Sequence, residues 1–466
     1  MLRPSYQITR HRIGSVKEVW TISWPLILGL ISNGMMVLVD RLMLGHYSLE
    51  AMNAASTASA ASFAIFIFPM VVAGISEVFV GRFHGQESYN KMGVATWQLI
   101  WFAILLVPLF VIASKTVGPL IFSNSLRPDY ANSYFSIMVN FGSMFCLIPA
   151  LMGFFIGQGK VRVISYTIAI ANVLNFGLDY ALIFGTPFSP SFGVSGAACA
   201  TVSSQFFLAG VFFFFFLKKK NRQEKGTGKW KLQPKLFFDS LKTGIPASFA
   251  HVAEYVSYFI FLRYMDKLGG YFLTVAVLLN SVYMIIYFII EGMSKGVTAI
   301  CANLIGVKKY DLVRKNLFSA CKLHLFFVVG LSTLVIFGSP GIYRIFIGEG
   351  DKAILMDPFF LNELYVSTIY MCLFYLFDGV IWMIIGLLTA ASDTKFIMFV
   401  GTFAPFLLFV LPIYLFSMSF QVSPKDIWLY SAFYGVLHLC IYWLRYRSGA
   451  WRTINQTQDP SIPLEL

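Results

Sequence analysis

The sequence predicts an all-α polytopic membrane protein with about twelve transmembrane helices in two related halves of six. The first observation is composition. Of the 466 residues, 58% are hydrophobic and only 12% are charged, whereas a soluble domain carries roughly 25% charged residues. The second observation is a series of long apolar stretches without the alternating polarity of barrel strands. The third is an internal repeat. Together they indicate that a lipid bilayer surrounds most of the chain.

Twelve mostly apolar stretches can each cross a bilayer as a helix, which takes about 20 residues. In chain order they are 19–44, 54–80, 93–117, 132–157, 162–184, 193–217, 238–264, 271–297, 315–338, 358–388, 395–418 and 427–446. Several are longer than one bilayer crossing requires, which predicts tilted helices or extra turns outside the hydrocarbon. The first stretch is too long for a cleavable signal peptide, so we expect it to be an uncleaved anchor.

The distribution of Lys and Arg predicts which loops face the cytoplasm. The net charge is +13, and most basic residues fall in the two terminal segments and in alternate loops, above all in KKKNRQEKGTGKWKLQPK at 218–235. Lys and Arg accumulate on the cytoplasmic side of membrane proteins. We therefore expect a multi-pass protein of the cell membrane, such as a bacterial inner membrane, with both termini in the cytoplasm. The basic run is then an anchor on anionic lipid, and nucleic acid is not an expected partner.

A repeat is visible around the basic run. Pro25 and Pro246 each lie near the start of an apolar stretch, one in each half of the chain. The offset that superimposes these two prolines also aligns the polar loop HGQESYNKM (84–92) with IGVKKYDLV (305–313). Because each half holds six helices, the two halves share one orientation and are related by an axis along the membrane normal.

The repeat continues with a larger offset. GFFIGQGKVR (153–162) aligns with GLLTAASDTK (386–395), and the change of offset predicts an insertion near 341–358 in the second half. The expected domains are an N-terminal six-helix lobe (1–217), a basic cytoplasmic linker (218–236), a C-terminal six-helix lobe (237–446) and a cytoplasmic tail (447–466).

The first apolar stretch contains WPLILGLISNGMMVLVDRLMLG (24–45), with a Pro early and an Asp about fifteen residues on. It is similar to the first helix of the multidrug and toxic-compound extrusion (MATE) family, and segments along nearly the whole chain resemble that family in order and spacing. Helices 5, 6, 7 and 10 and the basic tail of the family resemble NVLNFGLDYALIFG (172–185), FGVSGAACATVSSQ (192–205), GIPASFAHVAEYVSYF (244–259), FDGVIWMIIGLLTAASDTKF (377–396) and RYRSGAWR (445–452).

The resemblance implies a V-shaped fold of two lobes, antiport driven by Na⁺ or H⁺, and amphipathic organic cations as substrates. We expect a monomer in membrane lipid, with no cofactor besides the coupling ion. Arg41 departs from the family, which usually has a small or hydroxyl residue after the Asp. Helix neighbours diverge by about 100°, so we expect Arg41 to point away from Asp40. A second departure, Ser-Asp in TAASDTK, is expected to be neutral.

Acidic side chains at membrane depth mark candidate sites, because such a charge costs about 2.5 kcal/mol or more. In the first half, Asn175 and Asp179 are four residues apart and share a helix face. With Asp40 and Thr201 they are predicted to form a cluster of oxygen atoms. Oxygen ligands suit Na⁺, whereas a buried carboxylate pair can hold a proton instead. Ordinary interhelical hydrogen bonding is the structural alternative.

Glu254 and Asp378 are the acids near the middle of apolar stretches in the second half. Aromatic residues accompany them as candidate substrate contacts, and these are Tyr255, Tyr258, Tyr375 and Trp382. Rings beside a desolvated carboxylate suit an organic cation, and the carboxylates can also take the coupling ion. Core packing is the alternative, because 17% of the chain is aromatic.

Four further residues have a predicted place. Glu77 and Glu291 lie near the ends of their stretches and are expected at the membrane interface. His251 is three residues before Glu254, where it either relays a proton or is a satisfied core histidine. Pro25 removes a backbone donor from the first helix, which permits either a hinge or a static kink.

Other function classes fit less well. A flippase for lipid-linked or other amphipathic cargo is the alternative within the same superfamily, but such chains place basic residues in the cavity, and the deep charges here are mainly acidic. No HExxH or Walker A motif occurs, and the six cysteines lack metal spacing. An enzyme or a direct ATP-driven pump is therefore not expected. A channel would need a repeated filter, which is absent from the sequence.

Overall fold

The computed structural model describes residues 7–123, 127–187, 190–269, 271–346, 354 and 356–457. The first half contains α1 (Val16–Tyr47), α2 (Leu49–Gly74), α3 (Ser76–Gly85), α4 (Tyr89–Leu105), α5 (Val107–Phe122), α6 (Pro128–Asn140), α7 (Gly142–Ile156), α8 (Val161–Asp179) and α9 (Gly193–Phe216). The short α10 (Lys219–Glu224) follows. The second half contains α11 (Pro234–Leu268), α12 (Phe272–Gly306), α13 (Tyr310–Phe346), α14 (Pro358–Ala390), α15 (Thr394–Ala404), α16 (Leu411–Ser419), α17 (Pro424–Ser448) and α18 (Ala450–Thr457).

Within the described residues, eleven helical segments are long and apolar enough to cross a membrane, or up to twelve if a bent pair counts as one more. That pair is α6 with α7, which meet at an angle of 42°. Gly142 begins α7, and a Cβ there would lie 2.6 Å from the ring of Phe110, so a glycine is needed at the bend. The prediction of about twelve transmembrane helices in an all-α fold is confirmed.

Backbone geometry supports the internal repeat at its first offset. Glu87 and Lys308 are aligned by that offset, and both adopt left-handed conformations, with φ of 59° and 58°. In each loop the next residue donates its amide to the carbonyl five residues back. Two loops with little sequence identity thus share one turn, because the helix before each of them ends in the same way.

The second offset is supported in the same manner. Gly159 and Ser392 are aligned by it, and both have positive φ, at 70° and 58°. The residues that follow, Lys160 and Asp393, each donate their amide to the carbonyl five residues back. The insertion expected near 341–358 overlaps residues 347–353 and 355, which lie outside the described residues.

The chain forms two compact units. The first contains Met1–Thr9, Trp24–Ser248 and Ala302–Lys309, and the second contains Arg10–Ser23, Phe249–Cys301 and Tyr310–Leu466. Helix α1 changes unit next to Pro25, and α11 changes unit just after Pro246. The two equivalent prolines of the repeat therefore mark the points at which their helices pass from one unit into the other.

The basic linker of the first unit lies along α4. Trp97 and Trp101 of α4 donate their Nε1–H groups to the carbonyl oxygens of Thr227 and Trp230, at 2.7 Å each. Gly226 has a φ of +66°, and a Cβ there would lie 1.9 Å from a backbone carbonyl oxygen of α4. The linker is thus a strap held by specific contacts, and α11 begins at Pro234, a residue suited to a first helical turn.

The Ser-Asp departure in the loop before α15 is not neutral in the fold. Asp393 is only 3% exposed and receives two hydrogen bonds from Arg445, at 2.8 and 2.9 Å. A bidentate ion pair of this kind, with two parallel hydrogen bonds, is stronger than a pair with a single hydrogen bond. The expectation of a neutral replacement was wrong, because Arg445 lies 52 residues away in sequence and only the fold brings it to Asp393.

Candidate functional site

The four oxygen-bearing residues predicted in the first half come together in the first unit. Asp40 lies on α1, Asn175 and Asp179 lie on the last turns of α8, and Thr201 lies on α9. The Thr201 hydroxyl donates to Asp40 Oδ2 at 3.2 Å, and the carboxyl group of Asp179 is within hydrogen-bonding reach of Asp40. Asp179 is 0% exposed and Asn175 is 1% exposed, so this acidic pair is closed off from solvent.

Most polar atoms of the acidic pair receive no hydrogen bond from other side chains among the described residues. No donor reaches either oxygen of Asp179 or Asp40 Oδ1, and Asn175 Nδ2 finds no acceptor. Leaving buried polar groups unpaired costs about 1–3 kcal/mol each, and more for charges. Two carboxyl groups this close are accommodated when they share a proton or a cation. The arrangement therefore suits a proton or a small bare cation.

Backbone contacts hold α1 along α8 at this acidic pair. The Ser165 hydroxyl donates to the Pro25 carbonyl oxygen at 2.6 Å, and Asn172 Nδ2 donates to the Ser32 carbonyl oxygen at 2.8 Å. Pro25 lies inside a continuous α1 and is buried. Arg41 is exposed and forms no ion pair with Asp40 in the described part of the chain, as expected from its place on another helix face.

The sequence reasoning missed Tyr134 of α6. Its side chain is buried in the first unit, within range of the charges of both Asp40 and Asp179, and its hydroxyl bonds to Ser59. The chain has 23 tyrosines, and nothing in the sequence around Tyr134 distinguishes it from the others. Only packing brings α6 against the acidic pair.

In the second unit, Asp378 of α14 is buried among aromatic residues. It accepts a hydrogen bond from the Tyr283 hydroxyl at 3.4 Å, a long contact. The Tyr283 ring in turn stacks on Tyr375, with centroids 4.9 Å apart. Trp382 is buried one turn farther along α14 and lies against the rings of Tyr287 and His251, at 5.7 and 5.5 Å.

Glu254 of α11 differs from Asp378 because its side chain is exposed rather than covered by its neighbours. It experiences the negative charges of Asp378 and Glu291. Its own charge reaches tyrosines of α12 and α17, namely Tyr283, Tyr287, Tyr434 and Tyr442. The second unit therefore contains an exposed carboxylate within electrostatic range of tyrosines from α12 and α17. We call this group of residues the aromatic acid site.

The other residues of the second unit that the sequence analysis singled out have different surroundings. Tyr255 is half-buried. Tyr258 packs against Phe261 at 6.2 Å, next to an apolar cluster with Met265 and Ile427. Glu291 pairs with Lys295 at 3.7 Å.

Glu77 is buried in the first turn of α3 in the first unit, apart from the acidic pair. Among residues the sequence reasoning missed, Tyr283 and Tyr287 carry a usable signal. They are four residues apart on α12 and so share a face.

Eleven or up to twelve apolar helices among the described residues, with a repeat that relates the two halves, define a polytopic membrane protein with an architecture typical of transporters. The family model named MatE matches residues 25–181 and 246–415, more than half of the chain. Its two matches begin at Pro25 and Pro246, in agreement with the repeat. The chain belongs to the MatE family, and the resemblance stated from its motifs is confirmed.

Individual relatives have low sequence identity to this chain, but the alignments cover most of its length. A "probable multidrug resistance protein NorM" of Synechocystis sp. is 22% identical over 403 residues, which cover 84% of this chain and 85% of the relative. The NorM protein of Photorhabdus laumondii is 22% identical over 401 residues, 83% of this chain and 84% of the relative. The similar proteins are transporters, and the prediction that this chain is not an enzyme is confirmed.

Solved structures share the fold. The crystal structure titled "MATE in complex with MaL6" has a TM-score of 0.85 at 16% identity, covering 97% of this chain and 100% of that one. An outward-facing "multidrug resistance MATE family transporter of the MOP superfamily" has a TM-score of 0.83 at 16% identity, with 97% and 99% covered. At this identity the likeness shows the fold alone.

Proposed function

We propose that this protein exports amphipathic organic cations across the cell membrane in exchange for Na⁺ or H⁺, by alternating access. The observation that carries the proposal is the difference between the two acid clusters. One is a buried carboxyl pair, which suits a small cation or a proton. The other is an accessible carboxylate among aromatic rings, which fits a larger one. The names of the relatives, which include multidrug resistance, support export of drug-like compounds.

The residues have separate roles in this proposal. Asp40 and Asp179, with Asn175 and Thr201, bind the coupling ion. Glu254 provides the counter-charge for the organic cation, and Asp378 behind it is held by Tyr283. Trp382, Tyr375 and their neighbours bury the apolar part of the substrate, where cation–π contacts contribute about 0.5–2 kcal/mol each.

Pro25 is placed to let the helix of Asp40 bend during the cycle. Its missing amide leaves α1 one hydrogen bond short, and α1 changes unit beside it. The basic linker and the basic tail support a topology with both termini in the cytoplasm. Reporter fusions after residues 225 and 457 test this, and either fusion on the external side would contradict it.

An alternative cargo, a lipid-linked or otherwise amphipathic anion, is less well supported. The fold does not decide the sign of the cargo, since a Pyrococcus furiosus transporter titled for the "reverse polarity" of its binding pocket has a TM-score of 0.82 with this chain. The charged members of the two clusters are carboxylates, and Lys295, which lies near the second cluster, is paired with Glu291. Bringing an anion to them would add repulsion in a low dielectric.

The test is transport of a fluorescent organic cation by purified protein in proteoliposomes, with Na⁺ and H⁺ gradients imposed separately. At least one inward ion gradient should drive accumulation of the dye against its own gradient, and an ionophore that collapses this gradient should stop it. Asp40→Asn should transport no faster than empty liposomes. Uphill transport of anionic but not cationic dyes, or dye movement indifferent to both gradients, would contradict the proposal.

A further inference from the structure

Two equivalent loops of the repeat carry opposite charges at the same position. In the second unit, Asp393 begins α15 and forms a two-bonded ion pair with Arg445, at 2.8 and 2.9 Å. In the first unit, the equivalent position before α8 is Lys160, in a loop with the same hydrogen-bonding pattern. There a second lysine, Lys225 of the linker, lies beside it. One loop thus has a balanced pair, and the other has two like charges.

Lys225 is held in place and is half-buried. Its Nζ donates to Gln158 Oε1 at 2.6 Å, and it lies 5.8 Å from the centre of the Phe154 ring. The linker backbone fixes it from the other side, because the Gly93 amide of α4 donates to the Lys225 carbonyl oxygen at 2.8 Å. Neither Lys160 nor Lys225 has an ion-pair partner within the part of the chain that the structure describes.

The charges around Lys225 are unbalanced. Burial, followed by the neighbouring ammonium of Lys160, lowers the pKa of Lys225 to about 7, and Lys220 acts in the same direction. Only Glu224 opposes them. The half-buried ring of His84 experiences the same two lysines. An anion bound between Lys160 and Lys225 would relieve this repulsion, as Asp393 does for Arg445 in the second unit.

The location of the two lysines indicates where such an anion comes from. The strap that carries Lys225 is bonded to Trp97 and Trp101, and its own Trp230 is 58% exposed. Tryptophans are enriched at the membrane–water interface, at the level of the lipid headgroups. Anionic headgroups attract basic segments there by about 1 kcal/mol per Lys or Arg.

We propose that Lys160 and Lys225, oriented by Gln158, form a binding site for the phosphate group of an anionic lipid headgroup. A bound headgroup would hold the strap against α4 and the loop before α8. Because α8 carries Asp179, the lipid composition of the membrane would influence the acidic pair through this helix. The site goes beyond cation export and does not depend on it, since the headgroup is neither substrate nor coupling ion.

The first experiment measures the thermal unfolding midpoint of the purified full-length protein in detergent during titration with phosphatidylglycerol. Phosphatidylcholine and inorganic phosphate are titrated in parallel. Phosphatidylglycerol should raise the midpoint saturably, and phosphatidylcholine should not. Lys160→Gln with Lys225→Gln should weaken the apparent affinity about thirty-fold, the loss expected for two basic contacts.

The matched control is Lys229→Gln with Lys231→Gln. It removes the same charge from exposed positions of the same strap, and its affinity should stay close to that of the unaltered protein. Equal weakening in both double variants would overturn the site, because it would show attraction by net charge alone. If inorganic phosphate competes with phosphatidylglycerol, the two lysines bind soluble phosphate rather than selecting a headgroup, which would also overturn it. An unchanged affinity in the Lys160 and Lys225 variant would have the same consequence.

A second variant keeps the test decisive if the double variant does not fold. Lys225 is protonated below its pKa and neutral above it, so headgroup affinity should fall as pH rises from about 6 to about 8.5, on either side of the pKa of about 7. Loss of one basic contact corresponds to about fivefold. Lys225→Arg keeps its charge throughout this range and should bind with little dependence on pH. The same fall with pH in the unaltered protein and in Lys225→Arg would contradict the role of Lys225.

Discussion

The acidic pair of the first unit and the aromatic acid site of the second are built from the same kind of side chain, yet their surroundings differ. Asp40 and Asp179 face each other in a closed cluster with Asn175 and Thr201, and several of their polar atoms lack partners among the described residues. Glu254 is accessible, and Asp378 is held by a tyrosine within stacked rings. A carboxylate by itself does not determine its ligand. Accessibility and the neighbouring groups do.

In the proposed exchange of ion for substrate, this difference gives the two halves separate tasks. A closed oxygen cluster replaces the hydration shell of a small ion, and large apolar molecules cannot enter it. An accessible carboxylate among rings meets a bulky cation with both charge and apolar surface. If the assignment is correct, substitutions in the first unit should change the response to the ion gradient, and substitutions in the second should change affinity for the substrate.

The largest effect is expected from Asp40→Asn and from Asp179→Asn. Either change removes one of two carboxyl groups that together hold the ion, so gradient-driven dye efflux should fall to the level of cells that lack the protein. Efflux is measured in cells with matched amounts of protein in the membrane. Asp129→Asn, at an exposed position in the first turn of α6, is the control and should leave efflux intact. Wild-type efflux in Asp40→Asn would place the ion elsewhere.

The next effect concerns Glu254→Gln and Asp378→Asn. Loss of the counter-charge should weaken binding of cationic dyes to the purified protein at least about thirtyfold, since removing one partner of a desolvated charge pair costs about 2–5 kcal/mol. Binding is measured by fluorescence polarisation with cationic and uncharged dyes, and the uncharged dyes should be affected less. Asp266→Asn changes an exposed acid on the same helix as Glu254 and should bind normally. Equal affinities in all variants would separate these acids from the substrate.

A smaller effect should follow from Thr201→Val, which deletes the hydroxyl that donates to Asp40 at 3.2 Å and keeps the shape of the side chain. A hydrogen bond to a charged group contributes about 1.5–3 kcal/mol, so the ion concentration that half-saturates transport should rise about tenfold. Dye affinity should not change. Thr201→Ser restores the donor and should recover most of the ion affinity. A change in dye affinity without a change in ion dependence would reverse the roles assigned to the two clusters.

The smallest effect is expected from Tyr283→Phe, the matching deletion of one hydroxyl in the second unit. The contact with Asp378 is long, at 3.4 Å, and the ring that stacks on Tyr375 is retained. Dye affinity should fall about threefold, near the lower end for a neutral donor, while ion dependence stays unchanged. Tyr264→Phe, whose hydroxyl bonds to Ser417 away from the acids, is the control. A loss as large as that of Glu254→Gln would mean that the hydroxyl itself contacts the substrate.

Much of this architecture could be predicted from the sequence, because a bilayer imposes simple rules. A spanning segment must be long, apolar and helical, since no water is present to satisfy a bent or open backbone. The stretches, the repeat marked by Pro25 and Pro246, and the buried acids therefore follow from the pattern of residues alone. The two offsets of the repeat could be found because its matches include polar loops. A match between polar loops is less often due to chance than a match between apolar helices.

Only the tertiary structure decided what surrounds each acid. Tyr134 lies near Asp40, and Arg445 pairs with Asp393, although no local pattern joins the members of either pair. The sequence places both Glu254 and Asp378 near the middle of apolar stretches and does not show that Glu254 is exposed whereas Asp378 is buried. Helix periodicity determines which residues share a face of one helix. Which helix packs against that face depends on the packing of all the helices, and short-range spacing carries no information about it.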